Sequence, residues 1–168
     1  MKYSIRLFVF LCILFIQFAC KHNYSHVDRF YTEKGDGDMG RLPLIKPYEV
    51  LSTTTDMGWC IALKGKYSGI GFCNVKKVTV LDTVILLYTG NTILYNRNVK
   101  QSWHVIIPKN DFDKGFDNHT DYLNFLTSMA IKPEPNLYNI DLVASYFDEY
   151  EFIDWKKIHK LDKGNLER

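Results

Sequence analysis

Four sets of residues in this chain are of types and spacings that could do chemistry. Cys60 and His104 could form a thiol–imidazole pair, in which the imidazole takes up the thiol proton and leaves a nucleophilic thiolate. Asp111-x-Asp113-x-Gly115-x-Asp117 sets carboxylates at alternate positions, as a calcium loop does. Asp148, Glu149, Glu151 and Asp154 could supply the two carboxyl groups of a glycoside hydrolase. His22 and His26, four apart, would share one face of a helix and could ligate a metal there.

Each set also has a plainer reading. An EF-hand loop begun at Asp111 would want glycine and glutamate where the chain has Phe116 and Tyr122, and Asp117 suits the N-terminus of a helix. The stretch around His22 and His26 has no apolar stripe to make it helical. The acidic residues beside one helix end read as a solvated face, and no local signature of a cysteine enzyme surrounds Cys60. Gly-x-Ser-x-Gly, His-Glu-x-x-His and Gly-Lys-Ser/Thr are all missing from the sequence. No catalytic, metal-ligating or cofactor-binding residue is assigned, and the chain reads as non-enzymatic.

The first 20 residues say where the chain goes. Lys2 and Arg6 form a basic start, Leu7 to Phe18 is apolar except for Gln17, and Ala19 and Cys20 close the segment. That is the pattern of a secretory signal peptide over residues 1–19. The competing reading, an uncleaved transmembrane helix, would want about 20 apolar residues. The end of the segment, Gln17-Phe18-Ala19-Cys20, resembles the lipobox of bacterial lipoproteins. The resemblance implies that Cys20 is lipidated, with palmitate among its acyl chains, and becomes the first residue of the mature chain. One acyl chain holds marginally and two or more hold stably, at about 0.8 kcal/mol per buried CH₂. The expected address is therefore the cell envelope, with the domain in the periplasm or at the cell surface.

The whole chain has 21 Lys+Arg against 19 Asp+Glu, and loss of Lys2 and Arg6 leaves 19 of each. A mature chain without net charge argues against nucleic acid as a partner, and against electrostatic adhesion to anionic lipid. Of four cysteines, Cys12 belongs to the leader and Cys20 is the lipid site. Cys60 and Cys73 remain, in a chain bound for an oxidising compartment; they are either a disulfide or two small buried thiols.

The elements that would position these residues follow from periodicity. Residues 20–40 read as the lipidated cysteine and a flexible tether, 41–158 as one α+β domain, and 159–168 as a charged tail. Arg41 to Ser52 is expected to be extended, because Pro43 and Pro47 exclude a regular helix. Trp59–Leu63 and Ile70–Asn74 pair as a hairpin if Cys60 faces Cys73, Ile61 faces Phe72 and Leu63 faces Ile70, which collects the large apolar side chains on one face. Val75–Val80, Thr83–Tyr88, Thr92–Tyr95 and Trp103–Ile107 read as further strands, giving an antiparallel β-meander of about five strands, with Asn96–Lys100 and Pro108–Gly115 as loops. Two packed helices follow. Tyr122, Phe125, Leu126 and Met129 make the first stripe, with Asn118 or Thr120 as cap. Leu142, Val143, Tyr146, Phe147 and Tyr150 make the second, with Asn139 or Asp141 as cap.

A compact domain on a tether, with no catalytic signature, is expected to bind another protein of the envelope, an immunity protein against an incoming toxin being one subtype. The alternative is an enzyme or binder acting on glycan or peptidoglycan through Trp59, Trp103 or the acidic cluster. Eleven Tyr, eleven Phe and three Trp leave aromatic rings for either surface.

Overall fold

The computed structural model describes residues 27–37, 39–52, 57–63, 69–131 and 134–160. The leader, Cys20, His22 and His26 lie outside them, as does the end of the tail. Among the described residues nine strands form one antiparallel sheet: β1 (Arg41–Pro43), β2 (Glu49–Ser52), β3 (Trp59–Leu63), β4 (Gly69–Ile70), β5 (Val75–Leu81), β6 (Val84–Leu94), β7 (Arg97–Ile107), β8 (Phe112–Phe116) and β9 (Tyr138–Asn139). The main path is β1-β2-β3-β5-β6-β7-β8, with β4 beside β3 and β9 beside β5. The helices are α1 (His119–Ser128), α2 (Ile140–Tyr150) and the short α3 (Trp155–Ile158).

An antiparallel sheet followed by helices is thus the architecture, but the expected count of about five strands is too low. Four strands, β1, β2, β8 and β9, account for the difference, and one expected loop also proves to be strand. The stretch expected as the loop Asn96–Lys100 is mostly the start of β7, exposed on both faces and so without alternation; the turn is Tyr95-Asn96, with φ of 47° and 61°. Positive φ at both central residues is the geometry that matches hairpin twist. The expected loop Pro108–Gly115 contains β8, whose Asp113, Lys114 and Gly115 hid a strand that pairs with β7 from Trp103↔Phe116 to Ile107↔Phe112. The extended entry segment folds back on itself as β1 and β2 around a cis Lys46–Pro47 bond.

The cysteine hairpin forms with a one-residue slip. Ala62 pairs with Ile70 and Leu63 with Gly69, not Leu63 with Ile70. Ile61 N–H donates to the Phe72 carbonyl and Gly71 N–H donates to the Ile61 carbonyl, so Gly71 and Phe72 both oppose Ile61. This bulge absorbs the extra residue and restores the register at the Cys60–Cys73 disulfide. A Cβ on Gly71 would come within 2.7 Å of the Leu63 side chain, which is why glycine stands there.

The sheet curls strongly. Neighbouring strands sit about 4.8 Å apart, so a flat sheet would hold β1 and β7 about 24 Å from each other. Instead Leu42 of β1, Val50, Ile61, Val78, Ile85 and Leu87 join Ile106 of β7 in one buried cluster, closed by Ile140, Val143 and Phe147 of α2 and Ile158 of α3. The Tyr48 hydroxyl, in the β1–β2 turn, has its pKa raised first by burial and then by the charges of Asp111 and Asp113 at the far edge of the sheet. The other face carries a second core of Val84, Leu86, Trp103, Val105 and Phe116, covered by Tyr122 and Leu126 of α1.

Both helices begin as their sequences predict. Asn118 accepts from the Thr120 and Asp121 amides, and Asn139 accepts from those of Asp141 and Leu142. Of the second stripe, Val143 and Phe147 are buried whereas Tyr150 is exposed at the helix end. From Val27 on, the segment ahead of β1 rests on the domain: Asp28 pairs with Lys46 at 2.6 Å, Arg41 lies over the Phe30 ring at 4.8 Å, and Lys34 donates to the Asp148 carbonyl.

Candidate functional site

The residue pair expected for thiol chemistry is not assembled as one. Cys60 is bonded to Cys73 and has no thiol to give. His104 sits in the interior in another setting. The bulge turns Phe72 onto it, the two rings stacking at 3.6 Å between centroids and 16° between planes. His104 Nε2 lies 2.8 Å from Ser102 Oγ, which in turn lies 2.6 Å from Thr89 Oγ1. All three are buried. Burial drives the imidazole pKa down to about 3, so the ring is neutral at physiological pH. This serine–histidine pair is sealed from solvent, and the partner across β8 is the backbone of Gly115, not a carboxylate. It satisfies buried polar groups and does not present a nucleophile.

The acidic cluster is likewise engaged in the fold. Asp154 accepts from the Lys157 amide at the start of α3, and Glu151 lies 3.9 Å from Lys34. Glu149 bonds the Tyr150 hydroxyl and, by that bond first, raises its pKa. The alternating aspartates form no cation loop: Asp113 and Gly115 belong to strand β8, and Asp117 faces Arg97 at 3.4 Å. Among the described residues no group of three or more His, Cys, Asp and Glu is placed to hold a metal ion. Trp59 donates through Nε1 to Asp141 at 2.7 Å and so ties β3 to the start of α2.

Trp103 stands in a different place. A groove of about 500 Å³ opens on the outer face of the sheet, lined by Lys77, Tyr88, Gln101, Trp103, His119 and the 134–137 segment. The sheet register builds its floor: Lys77 pairs with Tyr88, Tyr88 with Trp103 and Trp103 with Phe116, so their side chains form one row across β5 to β8. Tyr88 and Trp103 meet at 5.4 Å, and the first residue of α1, His119, meets Trp103 at 4.8 Å. The Asn118 cap fixes where α1 starts and hence where His119 stands. Gln101, two residues before Trp103 on the same face of β7, accepts from the Tyr88 hydroxyl at 3.4 Å.

Beneath these rings Tyr122 is 2 % exposed and 6.2 Å from Trp103 and 6.0 Å from His119. Its hydroxyl has no hydrogen-bond partner among the described residues, and burial raises its pKa. Above, Glu134, Pro135, Asn136 and Leu137 close the groove. It therefore offers aromatic surface, two carboxamides, a carboxylate, an imidazole and an ammonium within one small volume.

Sequence reading identified Trp103 as a candidate and missed its neighbours. Tyr88, Gln101, His119 and Glu134 come from separate segments with no shared motif; only strand register brings them together. No protein-family model, curated protein or solved structure matches the chain.

Proposed function

We propose that this protein is a lipid-anchored, non-enzymatic binding module of a bacterial cell envelope, held at the membrane through Cys20. The observation that carries the binding role is the Trp103 groove: an open site with an aromatic floor and a mixed polar rim, on a rigid sheet. The sealed Ser102–His104 pair supports a structural use for the residues best suited to nucleophilic catalysis. The Cys60–Cys73 disulfide is in keeping with an oxidising compartment, where such bonds persist. Among the described residues no helix is long and apolar enough to cross a membrane.

A protein partner in the envelope, an incoming toxin included, and an envelope glycan are the two ligands in view. The size and polarity of the groove favour the smaller, polar one. The test is capture: the tagged protein is extracted in detergent from its own cells, and whatever co-purifies is compared between wild type and Gln101→Ala. A protein or glycan retained by wild type and lost from the variant supports the binding role through this groove. Equal retention by both, or release of a cleaved product, contradicts it.

A further inference from the structure

We infer that the Trp103 groove is a saccharide site, which takes one ring of an uncharged oligosaccharide against Tyr88 and Trp103. This rests on the binding-module reading above. Sugar rings carry an apolar face of C–H groups and an equator of hydroxyls, and a site for them needs an aromatic surface flanked by planar polar groups. The groove has this composition: Tyr88 is half-buried and gives most of the aromatic surface, Trp103 lines the groove but is only 8 % exposed, and Gln101, Asn136 and Glu134 add amide and carboxylate groups. Such planar groups can each donate to or accept from adjacent hydroxyls.

Charge supports an uncharged ligand. Lys77 is offset by Glu134 on the same rim, so the groove carries no excess of either charge to draw in an ionic ligand. The floor is preorganised, because Tyr88 is held by Gln101 and Trp103 is packed by Tyr122 and Phe116 in the core beneath. A rigid platform of this kind loses little side-chain entropy when a ring settles on it.

The test is isothermal titration of the full chain in detergent with chitotriose and, separately, cellotriose. Saturable binding of either is expected, weakened by about tenfold or more in Gln101→Ala and in Glu134→Ala, as loss of one hydrogen bond to a polar or charged group would give. Both residues are exposed or on the rim, so these variants keep the fold; Asn98→Ala, at the distal end of β7, should leave binding unchanged. No heat with either sugar, or binding equal in all variants, overturns the saccharide site. If a protein partner is nevertheless captured through Gln101, the saccharide inference alone falls and the binding module stands.

Discussion

The Tyr95 hydroxyl brackets the backbone of Gly115, accepting from its N–H and donating to its carbonyl, both at 3.2 Å. Tyr95 is at the tip of the β6–β7 hairpin and Gly115 is in the edge strand β8, so the hairpin folds over and occupies an edge that would otherwise offer free donors and acceptors. Gly115 is glycine for a reason on its other side. A Cβ there would lie 2.3 Å from Leu94 Cδ1 and 3.2 Å from His104 Cε1, both packed in the curled interior.

Tyr95→Phe should therefore lower stability by about 1 kcal/mol, the usual net value of such bonds, and unpair the edge of β8. Urea unfolding gives the first effect; concentration-dependent association of the variant gives the second. Gly115→Ala should cost about 1–3 kcal/mol by overpacking. Adding Leu94→Ala should recover part of that loss, and strict additivity of the two changes would contradict the contact.

Stability should fall with acid in a way that depends on His104. Its folded pKa of about 3 lies below the ordinary 6.5, so between these values the unfolded chain binds the extra proton. The stability is complete above about pH 7 and is lost as pH drops below 6.5, by about 2 kcal/mol at pH 5. His104→Leu, which leaves Ser102 its bond to Thr89, should flatten the stability profile between pH 7 and pH 4. An unchanged slope would contradict a buried neutral imidazole.

The Cys60–Cys73 disulfide spans a sequence separation of 13 residues. Closure of a loop of that length should contribute about 3 kcal/mol. The double variant Cys60→Ala/Cys73→Ala should unfold at correspondingly lower urea, and wild type in reductant should match it.

Asn118→Ala should cost about 1 kcal/mol through loss of the α1 cap. Because that cap places His119 beside Trp103, the variant should also perturb ligand binding in the groove. Asn139→Ala should cost a similar amount at α2, and its effect on binding should be the smaller of the two, because its side chain caps α2 and not the helix that carries His119. Binding affinities and unfolding midpoints of the two variants, compared side by side, check this.

How much of this was legible in the sequence follows from the range of each signal. The caps and the stripes through Leu126 and Phe147 are local signals; sequence narrows each cap to two residues, of which the structure uses Asn118 and Asn139. The cysteine pairing was legible because one hairpin carries both residues, though the bulge at Gly71 and Phe72 shifted the register at its turn end. Residues 97–101 of β7 and Asp113 to Gly115 of β8 gave no strand signal, since neither stretch has one buried and one exposed face in alternation. The groove was legible only at Trp103. Its other members reach it through pairing between strands far apart in sequence, and no local pattern records that.

Lipid anchoring at Cys20 is the property on which an envelope module depends. Membrane and soluble fractions of cells carrying wild type or Cys20→Ala should be compared together with incorporation of labelled palmitate. Wild type should be labelled and sediment with the membrane, and the variant should be unlabelled and released. A variant that stays membrane-bound, or a wild type that takes up no lipid, would contradict an anchored module.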